Sequence, residues 1–321
     1  MEVLSCRDLS FSYRTYQKRP GFWGTVRDFV GRKTFYVPAL QSLSCTLQEG
    51  DRLAILGENG AGKTTLLKLW SGILTPTGGE LMAMGHRPCS RAPEYLSRLG
   101  VVFGGKSGLI WDLPPSDTVQ LLASIYGVAQ SEAHRRAAQM AELLEVEDKL
   151  NVPVRKLSLG QKMKFNLIAS TLHRPKLLLL DEPTLGLDVL SRDRIYAFLL
   201  ELNREEGTTI VITSHNSDDI EAMARDVVLL KEGIPLYQGP LGGLGLEEGQ
   251  KTWKIETRHE TLSLPLAPEE GVVTRLGERT FEVSLSDERL LSRLDWSQVR
   301  AVTDMGSNLD ALLKRTFGKQ S

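Results

Sequence analysis

The hydrophobic positions along the chain change their period several times, and each period predicts a type of element. Short, mainly apolar runs at Arg52–Leu56, 177–180 and 209–213 are typical of strands buried on both faces of a parallel sheet. Residues 227–230 and 234–238 predict a final pair of strands. These runs indicate a largely parallel sheet whose strands come from distant parts of the sequence.

Between these strands, apolar residues recur at the i, i+3 and i+4 spacing of a helix face. This spacing predicts helices over 66–73, 118–126 and 132–144. A further helix is predicted to begin after Ser158, because serine caps helix N-termini well. Its apolar face is formed by Met163, Leu167, Ile168 and Leu172. Helices that alternate with buried strands indicate an α/β fold.

The N-terminal segment divides into a strand and a basic, aromatic insertion. Residues 2–13 end on Tyr13 and predict an edge strand. Residues 14–38 contain one acid, Asp28, against Arg14, Lys18, Arg19, Arg27, Arg32 and Lys33. A helical face is formed by Phe22, Val26, Phe29 and Val30. The insertion is either a membrane-surface or partner-docking patch, or a segment that packs on the main domain; one short helix with few charges favours packing.

A glycine-rich stretch at 241–250 separates residues 1–240 from a tail of different period, and predicts a linker. In the tail, 251–321, alternation predicts half-exposed strands. Their apolar positions are Trp253, Ile255, Leu262, Leu264, Leu266, Phe281, Val283 and Leu285. A last helix is predicted from Leu309, Leu312, Leu313 and Phe317. We expect a small C-terminal α+β domain without a catalytic constellation.

Composition narrows the class of protein. The chain has 321 residues, 41% of them hydrophobic and 25% charged, which is typical of a globular protein of about two domains. A net charge of −1 gives no electrostatic footprint for nucleic acid. Cys6, Cys45 and Cys89 match no zinc motif or disulfide framework, so we expect a reducing compartment. Without a long apolar run or a signal-peptide pattern, we expect that the chain does not cross a membrane by itself.

The strongest chemical signal is a glycine-rich loop that follows Arg52–Leu56 and opens a helix. The loop comprises Gly57, Glu58, Asn59, Gly60, Ala61, Gly62, Lys63, Thr64 and Thr65, and matches G-x-x-x-x-G-K-[ST]. Its glycines let backbone N–H groups surround a phosphate without a Cβ clash. Lys63 supplies charge for the β- and γ-phosphates, and the Thr64 hydroxyl is placed to bind Mg²⁺. The loop therefore predicts a phosphate site.

Further polar groups follow the apolar strands, at the sheet edge where open α/β folds bind ligands. Asp181 and Glu182 end one run and suit a metal ion and a water molecule. Ser214 and His215 end another. A lone histidine is usually structural, but the phosphate loop and the acidic pair lie at the same edge. We therefore predict a functional role for His215.

An irregular, exposed loop is predicted within the largely helical stretch between Tyr95 and Lys156. It contains Gly104, Gly105 and Gly108, followed by Trp111 and Pro114. An exposed loop with a large aromatic residue often contacts a partner. We predict a partner-binding surface around Gly104 to Trp111.

Together these motifs resemble the nucleotide-binding subunits of ABC transporters, over residues 1–240. GENGAGKTT resembles the Walker A loop, LSLGQ the ABC signature, LLLLDEP the Walker B strand, LGLD the D-loop and Ser214-His215 the switch histidine. RPGFWG, VVFGGKSGLIWDLP and SLGQKMKFNLIASTLHRPK are similar to a subgroup of bacterial ATPases that serve ABC-2-type exporters. The resemblance implies a P-loop NTPase ABC cassette, with a mixed sheet core, an antiparallel β subdomain and a helical subdomain at about 88–173.

The resemblance also implies roles for the matching residues. Lys63 and its loop would bind ATP, while Thr64 and Asp181 would hold Mg²⁺. Glu182 would act as general base or water-positioning carboxylate for attack on the γ-phosphate, and His215 would donate to that phosphate.

Two features of the family lie outside this catalytic group. An aromatic residue stacks on adenine, and Tyr13 is the best candidate here, although the insertion also offers Tyr16 and Tyr36. In trans, the family uses residues that correspond to Ser158, Gly160, Gln161 and Asp188 on the nucleotide of the other subunit. The resemblance therefore implies a head-to-tail dimer, with a second copy of this chain or with a paralogous cassette, that sandwiches two ATP molecules.

One position departs from the family pattern. Relatives carry a glutamine after VVFG, where it helps to hold Mg²⁺ and the attacking water; here that position is Gly105, and the next glutamine of the subgroup is Gly108. Glycine has no side chain to coordinate. Either hydrolysis is slowed, or water, Lys106 or Ser107 substitutes, or the loop is retuned for an unusual partner.

The leading expectation is an ATPase motor that drives a separate integral membrane permease, with export favoured by the subgroup resemblance. It would be cytoplasmic and peripheral on the inner face of the cell membrane. One alternative is a soluble ABC-type ATPase that acts on ribosomes or DNA, which the single cassette and the lack of basic bias disfavour. Another is a regulatory subunit with weak hydrolysis, suggested by Gly105.

Overall fold

The computed structural model describes residues 1–16, 34–104, 108–244, 251–267 and 270–307. The strands are β1 (Glu2–Tyr16), β2 (Thr34–Gln48), β3 (Arg52–Leu56), β4 (Gly78–Ala83), β5 (Leu99–Val102), β6 (Leu177–Asp181), β7 (Thr209–Ser214), β8 (Asp226–Lys231), β9 (Ile234–Pro240), β10 (Lys251–Thr257), β11 (Gly271–Arg275), β12 (Thr280–Leu285) and β13 (Val299–Ser307). The α-helices of these residues are α1 (Lys63–Trp70), α2 (Pro93–Leu96), α3 (Pro115–Tyr126), α4 (Gln130–Leu143), α5 (Leu159–Thr171), α6 (Val189–Glu206) and α7 (Ser217–Met223). Short 3₁₀ helices lie at Pro88–Ser90, Glu147–Lys149, Val154–Lys156, Leu241–Leu244 and Glu288–Arg293.

The chain forms two compact units. The first comprises Met1–His215 and Ala222–Gln238, and the second comprises Asn216–Glu221 and Gly239–Ser321. The helix predicted within 14–38, the residue Gly105 and the helix predicted at 309–317 lie outside the described residues. In the part of the chain that is described, no helix is long and apolar enough to span a membrane.

The first unit contains a six-stranded sheet in the order β5-β6-β7-β3-β8-β9. Neighbours from β5 to β8 are parallel, as the apolar runs predicted. Every residue of β6 and β7 is buried, so these strands need apolar side chains on both faces. Because the strands are parallel, the carboxyl ends of β3, β6 and β7 lie at the same edge of the sheet.

A second, antiparallel sheet has the order β2-β1-β4. The prediction of an edge strand at 2–13 is therefore wrong, because β1 is central and pairs with β2 from Glu2↔Gln48 to Tyr16↔Thr34. The sequence did not reveal β2, which contains Pro38. Proline lacks an N–H donor and is tolerated there because β2 is the edge strand.

Helices α3, α4 and α5 pack against one another beside the parallel sheet. Their buried apolar residues are Val119, Ala123, Ala133, Ala137, Met140, Leu167 and Ile168. The predicted helix over 66–73 is too long, since α1 ends at Trp70. Gly72 has a φ of 76°, and a Cβ there would lie 2.1 Å from the Pro88 carbonyl oxygen. The chain therefore turns away, and Ile73 is 47% exposed.

The second unit contains a four-stranded antiparallel sheet in the order β11-β12-β10-β13. Its core comprises Trp253, Ile255, Val283, Leu285 and Leu294. The prediction of a strand through Leu262, Leu264 and Leu266 is wrong. These residues lie in irregular chain, because Pro265 removes a ladder donor, yet all three pack against the core.

Candidate functional site

The loop between β3 and α1 is shaped by positions that accept only glycine. A Cβ at Gly57 would lie 2.5 Å from the Leu230 carbonyl oxygen. Gly62 has a φ of 106°, and a Cβ there would lie 2.5 Å from the Ala39 carbonyl oxygen. Both contacts are too close for any L side chain. The turn into α1 therefore requires the glycines of the predicted phosphate loop.

Lys63 lies inside this loop. Its side chain is buried, and Nζ donates to the carbonyl oxygens of Gly57 at 2.5 Å and Glu58 at 3.2 Å. Nζ also lies 3.7 Å from the Glu182 carboxylate. Burial lowers the pKa of Lys63, while the charges of Glu182 and Asp181 oppose that shift. The ammonium group is thus held beside the acidic pair.

Asp181 joins the phosphate loop to the neighbouring strands. Its Oδ2 accepts from the Thr64 hydroxyl at 2.8 Å, and its Oδ1 accepts from the Thr213 hydroxyl at 2.6 Å. Among the described residues, no cluster of three or more His, Cys, Asp or Glu could hold a metal alone. A carboxylate and a hydroxyl are nevertheless a fitting pair for Mg²⁺, which is bound through few protein oxygens together with substrate phosphates.

Glu182 completes the edge with His215. The carboxylate Oε1 lies 3.4 Å from Nδ1 of His215, and the Glu182 side chain is 19% exposed. Glu182 has a φ of 49°, in the left-handed region that non-glycine residues seldom adopt. The structure therefore brings Lys63, Asp181, Glu182 and His215 together, as expected for parallel strands that end at one edge.

Tyr13 reaches this group from the antiparallel sheet. Its hydroxyl lies 3.1 Å from the Thr65 hydroxyl, and its ring is edge-to-face with Phe11 at a centroid distance of 4.8 Å. The Tyr13 side chain is 40% exposed, so part of its ring is open to a ligand. Tyr16 and Tyr36 lie further along the β1–β2 hairpin, opposite Thr34 and Arg14.

The signature residues form a separate group at the start of α5. Ser158 and Gln161 form a capping box, in which each side chain accepts from the other's backbone N–H, at 3.2 and 3.0 Å. A Cβ at Gly160 would lie 3.4 Å from the Ser191 hydroxyl. Asp188 caps α6, and hydrogen bonds from the Ser191 backbone and hydroxyl lower its pKa. These residues thus share one surface of the chain.

Exposed apolar side chains surround the signature residues. Leu159, Leu185, Val189 and Leu190 are all more than half exposed, and Leu190 reaches 77%. Exposed apolar residues grouped in this way often mark an interaction surface.

The loop near Trp111 is attached to α5 by two contacts that the sequence did not reveal. Asn166 Oδ1 accepts from the Gly108 backbone N–H at 2.9 Å. Lys162 Nζ lies 4.5 Å above the centre of the Trp111 ring. The Trp111 side chain is still 58% exposed. Thr213 was also missed, although a polar residue at the end of an apolar run next to Ser214-His215 was a usable signal.

Comparisons with known proteins place this geometry in a family. A family model described as ABC transporter matches residues 40–185. The ABC transporter ATP-binding protein NatA of Bacillus subtilis is 32% identical over 208 residues, which cover 65% of this chain and 84% of NatA. The energy-coupling factor transporter ATP-binding protein EcfA of Methanothermobacter thermautotrophicus is 30% identical, over 74% of this chain and 70% of that protein. Nod factor export ATP-binding protein I of Cupriavidus pinatubonensis is 31% identical, over 62% and 61%.

A solved structure shows the same fold. The ATP-binding subunit of an ABC transporter superposes with a TM-score of 0.63 at 24% identity, over 75% of this chain and 91% of the other. The predicted ABC cassette fold, with its mixed and antiparallel sheets and helical part, is confirmed. The chain belongs to the ATP-binding subunits of ABC transporters, a family of ATPases.

Proposed function

We propose that this chain is the motor subunit of an ABC exporter, which binds and hydrolyses ATP in a head-to-tail dimer and drives a separate membrane permease. The observation that carries the proposal is the convergence of Lys63, Asp181, Glu182 and His215 at the mouth of the phosphate loop. A structural loop would not require a buried lysine beside two carboxylates and a histidine.

Each group has a chemical task in ATP hydrolysis. The loop amides and Lys63 hold the phosphates, and Tyr13 offers its exposed ring to adenine. Glu182 accepts the proton of the attacking water or orients that water, and His215 donates to the γ-phosphate. Mg²⁺, held by Thr64 and Asp181, would neutralise charge on the phosphate oxygens when bound.

The dimer proposal is supported by the signature surface. Ser158, Gly160, Gln161 and Asp188 lie together and carry exposed apolar neighbours. The N-terminus of α5 favours an anion through its amide donors and helix dipole. In the proposed dimer this surface covers the ATP of the other subunit, so one chain contributes to two sites.

The permease proposal is supported by Trp111 and the cavity near it. A cavity of about 530 Å³ is lined by Phe103, Gly108, Leu122, Tyr126, Asn166 and His173, among others. The lining is mainly apolar and continuous with the loop at Gly108. We propose that a helical segment of the permease docks there, with Trp111 at its edge. The chain would then be peripheral on the inner face of the cell membrane.

The direction of transport rests on the subgroup motifs, which favour export. One alternative is a soluble ABC-type ATPase. Another is a weakly hydrolysing regulatory subunit, and only this one is motivated by Gly105. Co-purification with an integral membrane protein from an adjacent gene separates these proposals. ATP turnover that rises in that complex supports the motor subunit. ATP binding with little phosphate release, both by the free chain and by the complex, supports the regulatory subunit.

Two matched pairs of variants test the site and the docking surface. Lys63→Ala removes the ammonium from the loop, and we expect ATP affinity to fall at least about tenfold. Lys149→Ala is its control and should leave ATP affinity unchanged, because Lys149 is partly exposed and pairs with Asp148. Trp111→Ala should weaken co-purification with the permease. Trp296→Ala is its control, since Trp296 is similarly exposed, at 54% against 58%. Equal ATP affinity of the two lysine variants would contradict the proposed role of Lys63. Equal co-purification of the two tryptophan variants would contradict the proposed docking surface.

A further inference from the structure

The side chain of Thr213 binds both residues of the acidic pair. Thr213 is fully buried near the end of β7. Its hydroxyl donates to Asp181 Oδ1 at 2.6 Å and accepts from the Glu182 backbone N–H at 3.0 Å. The Thr213 carbonyl oxygen accepts from the same N–H at 3.1 Å. One residue thus fixes the side chain of one carboxylate and the backbone of the other.

The sheet register places Thr213 at the centre of the site. Thr213 pairs with Asp181 on β6 and with Ile55 on β3, the strand that leads into the phosphate loop. Paired positions on neighbouring strands direct their side chains to the same face of a sheet. His215 follows two residues later. Thr213 therefore lies buried between the strand that leads into the phosphate loop and the strand that ends on the acidic pair, two residues before the histidine.

These hydrogen bonds have distinct consequences for the two carboxylates. Because Thr213 occupies Oδ1 of Asp181, Oδ2 is directed to Thr64. Glu182 keeps a φ of 49° that only surrounding contacts can maintain. That backbone places its carboxylate between Lys63 and His215.

We propose that Thr213 is a positioning residue for ATP hydrolysis. Its hydroxyl holds the Asp181 side chain so that Oδ2 faces Thr64. The same hydroxyl holds the Glu182 backbone in its left-handed conformation, so that the Glu182 carboxylate faces the γ-phosphate. The proposal rests on the ATPase function proposed above. It predicts that loss of the hydroxyl lowers the rate of hydrolysis more than the affinity for ATP, because Lys63 and the loop amides remain in place.

The test compares purified full-length variants in phosphate release and in ATP binding by calorimetry. Thr213→Val keeps the shape but removes the hydroxyl, and Thr213→Ser restores the hydroxyl. Thr209→Val is the matched control: Thr209 is equally buried on β7, and its hydroxyl also makes two hydrogen bonds, with Gln48 and Gly50. We expect Thr213→Val to lower kcat about 10- to 100-fold, the scale of a hydrogen bond to a charged group, with KM and ATP affinity within about threefold.

Thr213→Ser should return kcat to within about threefold of the wild type, and Thr209→Val should keep it. If Thr213→Val does not fold, Thr213→Ala and Thr213→Ser differ by the hydroxyl alone and must differ at least tenfold in kcat. Equal kcat values for folded variants with and without the hydroxyl overturn the proposal, as does a loss of ATP affinity as large as the loss of kcat. A wild-type chain without turnover instead contradicts the proposed ATPase function.

Discussion

Asn166 Oδ1 accepts a hydrogen bond from the Gly108 backbone N–H at 2.9 Å. Asn166 lies on α5, the helix that Ser158 caps, and Gly108 lies in the loop proposed to meet the permease. One turn earlier on α5, Lys162 covers Trp111. The loop proposed to bind the permease is thus attached to α5 by two side chains. In the proposed dimer, movement of this loop would be transmitted to the nucleotide of the other subunit.

Removal of this acceptor should loosen the loop. Asn166→Ala removes the acceptor of this partly buried hydrogen bond, and we expect a loss of about 1–2 kcal/mol in the free energy of unfolding. Urea denaturation measures the loss. Ser124→Ala is the control, because Ser124 is exposed on α3 and its hydroxyl bonds to Gln120 of the same helix and to Gln130. Equal stability of the two variants would show that the contact is not stabilising.

Substitution at Ser158 separates helix capping from dimer closure. Both Ser158→Ala and Ser158→Arg lose the N-cap and should destabilise the chain by about 1 kcal/mol. Only arginine adds bulk and charge to the proposed dimer surface. We therefore expect both variants to bind ATP as monomers, but Ser158→Arg alone to lose ATP-dependent dimerisation in light scattering. Loss of ATP binding by Ser158→Arg would contradict the assignment of this surface to the other subunit's site.

The cysteines should differ in reactivity. Burial raises the pKa of Cys6 to about 11 and that of Cys45 to about 12, whereas Cys89 is partly exposed. The thiolate is the reactive form, so a thiol reagent at about pH 8 should modify Cys89 first and the other two only after unfolding. Rapid reaction of all three thiols in the folded protein would show that the β1–β2 core is open.

Stability should depend on His173 below neutral pH. The ring stacks on Tyr126 at 3.8 Å, and burial lowers its pKa from the ordinary value of 6.5. The unfolded chain therefore binds a proton at His173 more readily than the folded chain does. The free energy of unfolding consequently falls as the pH drops below the ordinary pKa of 6.5. Urea titrations of His173→Gln should show a weaker pH dependence than the wild type or exposed His134→Gln. An unchanged slope in His173→Gln would exclude this origin.

Local sequence patterns predicted the elements that hold the catalytic groups. The strands β3, β6 and β7 are short, mainly apolar runs, and the phosphate loop is a local motif, so both were visible without tertiary information. Ser158 likewise satisfies a rule that concerns only its own helix.

The remaining features depend on contacts between distant residues. β2 is a strand because it pairs with β1. In the second unit, β11 likewise pairs with β12, and β13 pairs with β10. The polar character of Thr213 was visible at the end of its run, but its pairing with Asp181 on the neighbouring strand is not revealed by any spacing along the chain. The attachment of Gly108 to Asn166 is of the same kind. These features therefore depend on tertiary contacts, which the periodicity of the sequence does not predict.

The most direct test of the central claim is the behaviour of Glu182→Gln with ATP and Mg²⁺. Glutamine keeps the shape of the side chain but cannot accept the proton of the attacking water. We predict that this variant binds ATP, releases phosphate at least about a hundredfold more slowly than the wild type, and elutes as a stable dimer with two ATP molecules. Glu205→Gln, on the exposed surface of α6, should behave as the wild type. Wild-type phosphate release by Glu182→Gln, or an ATP-bound monomer, would contradict the claim that Glu182 drives hydrolysis in a nucleotide-sandwich dimer.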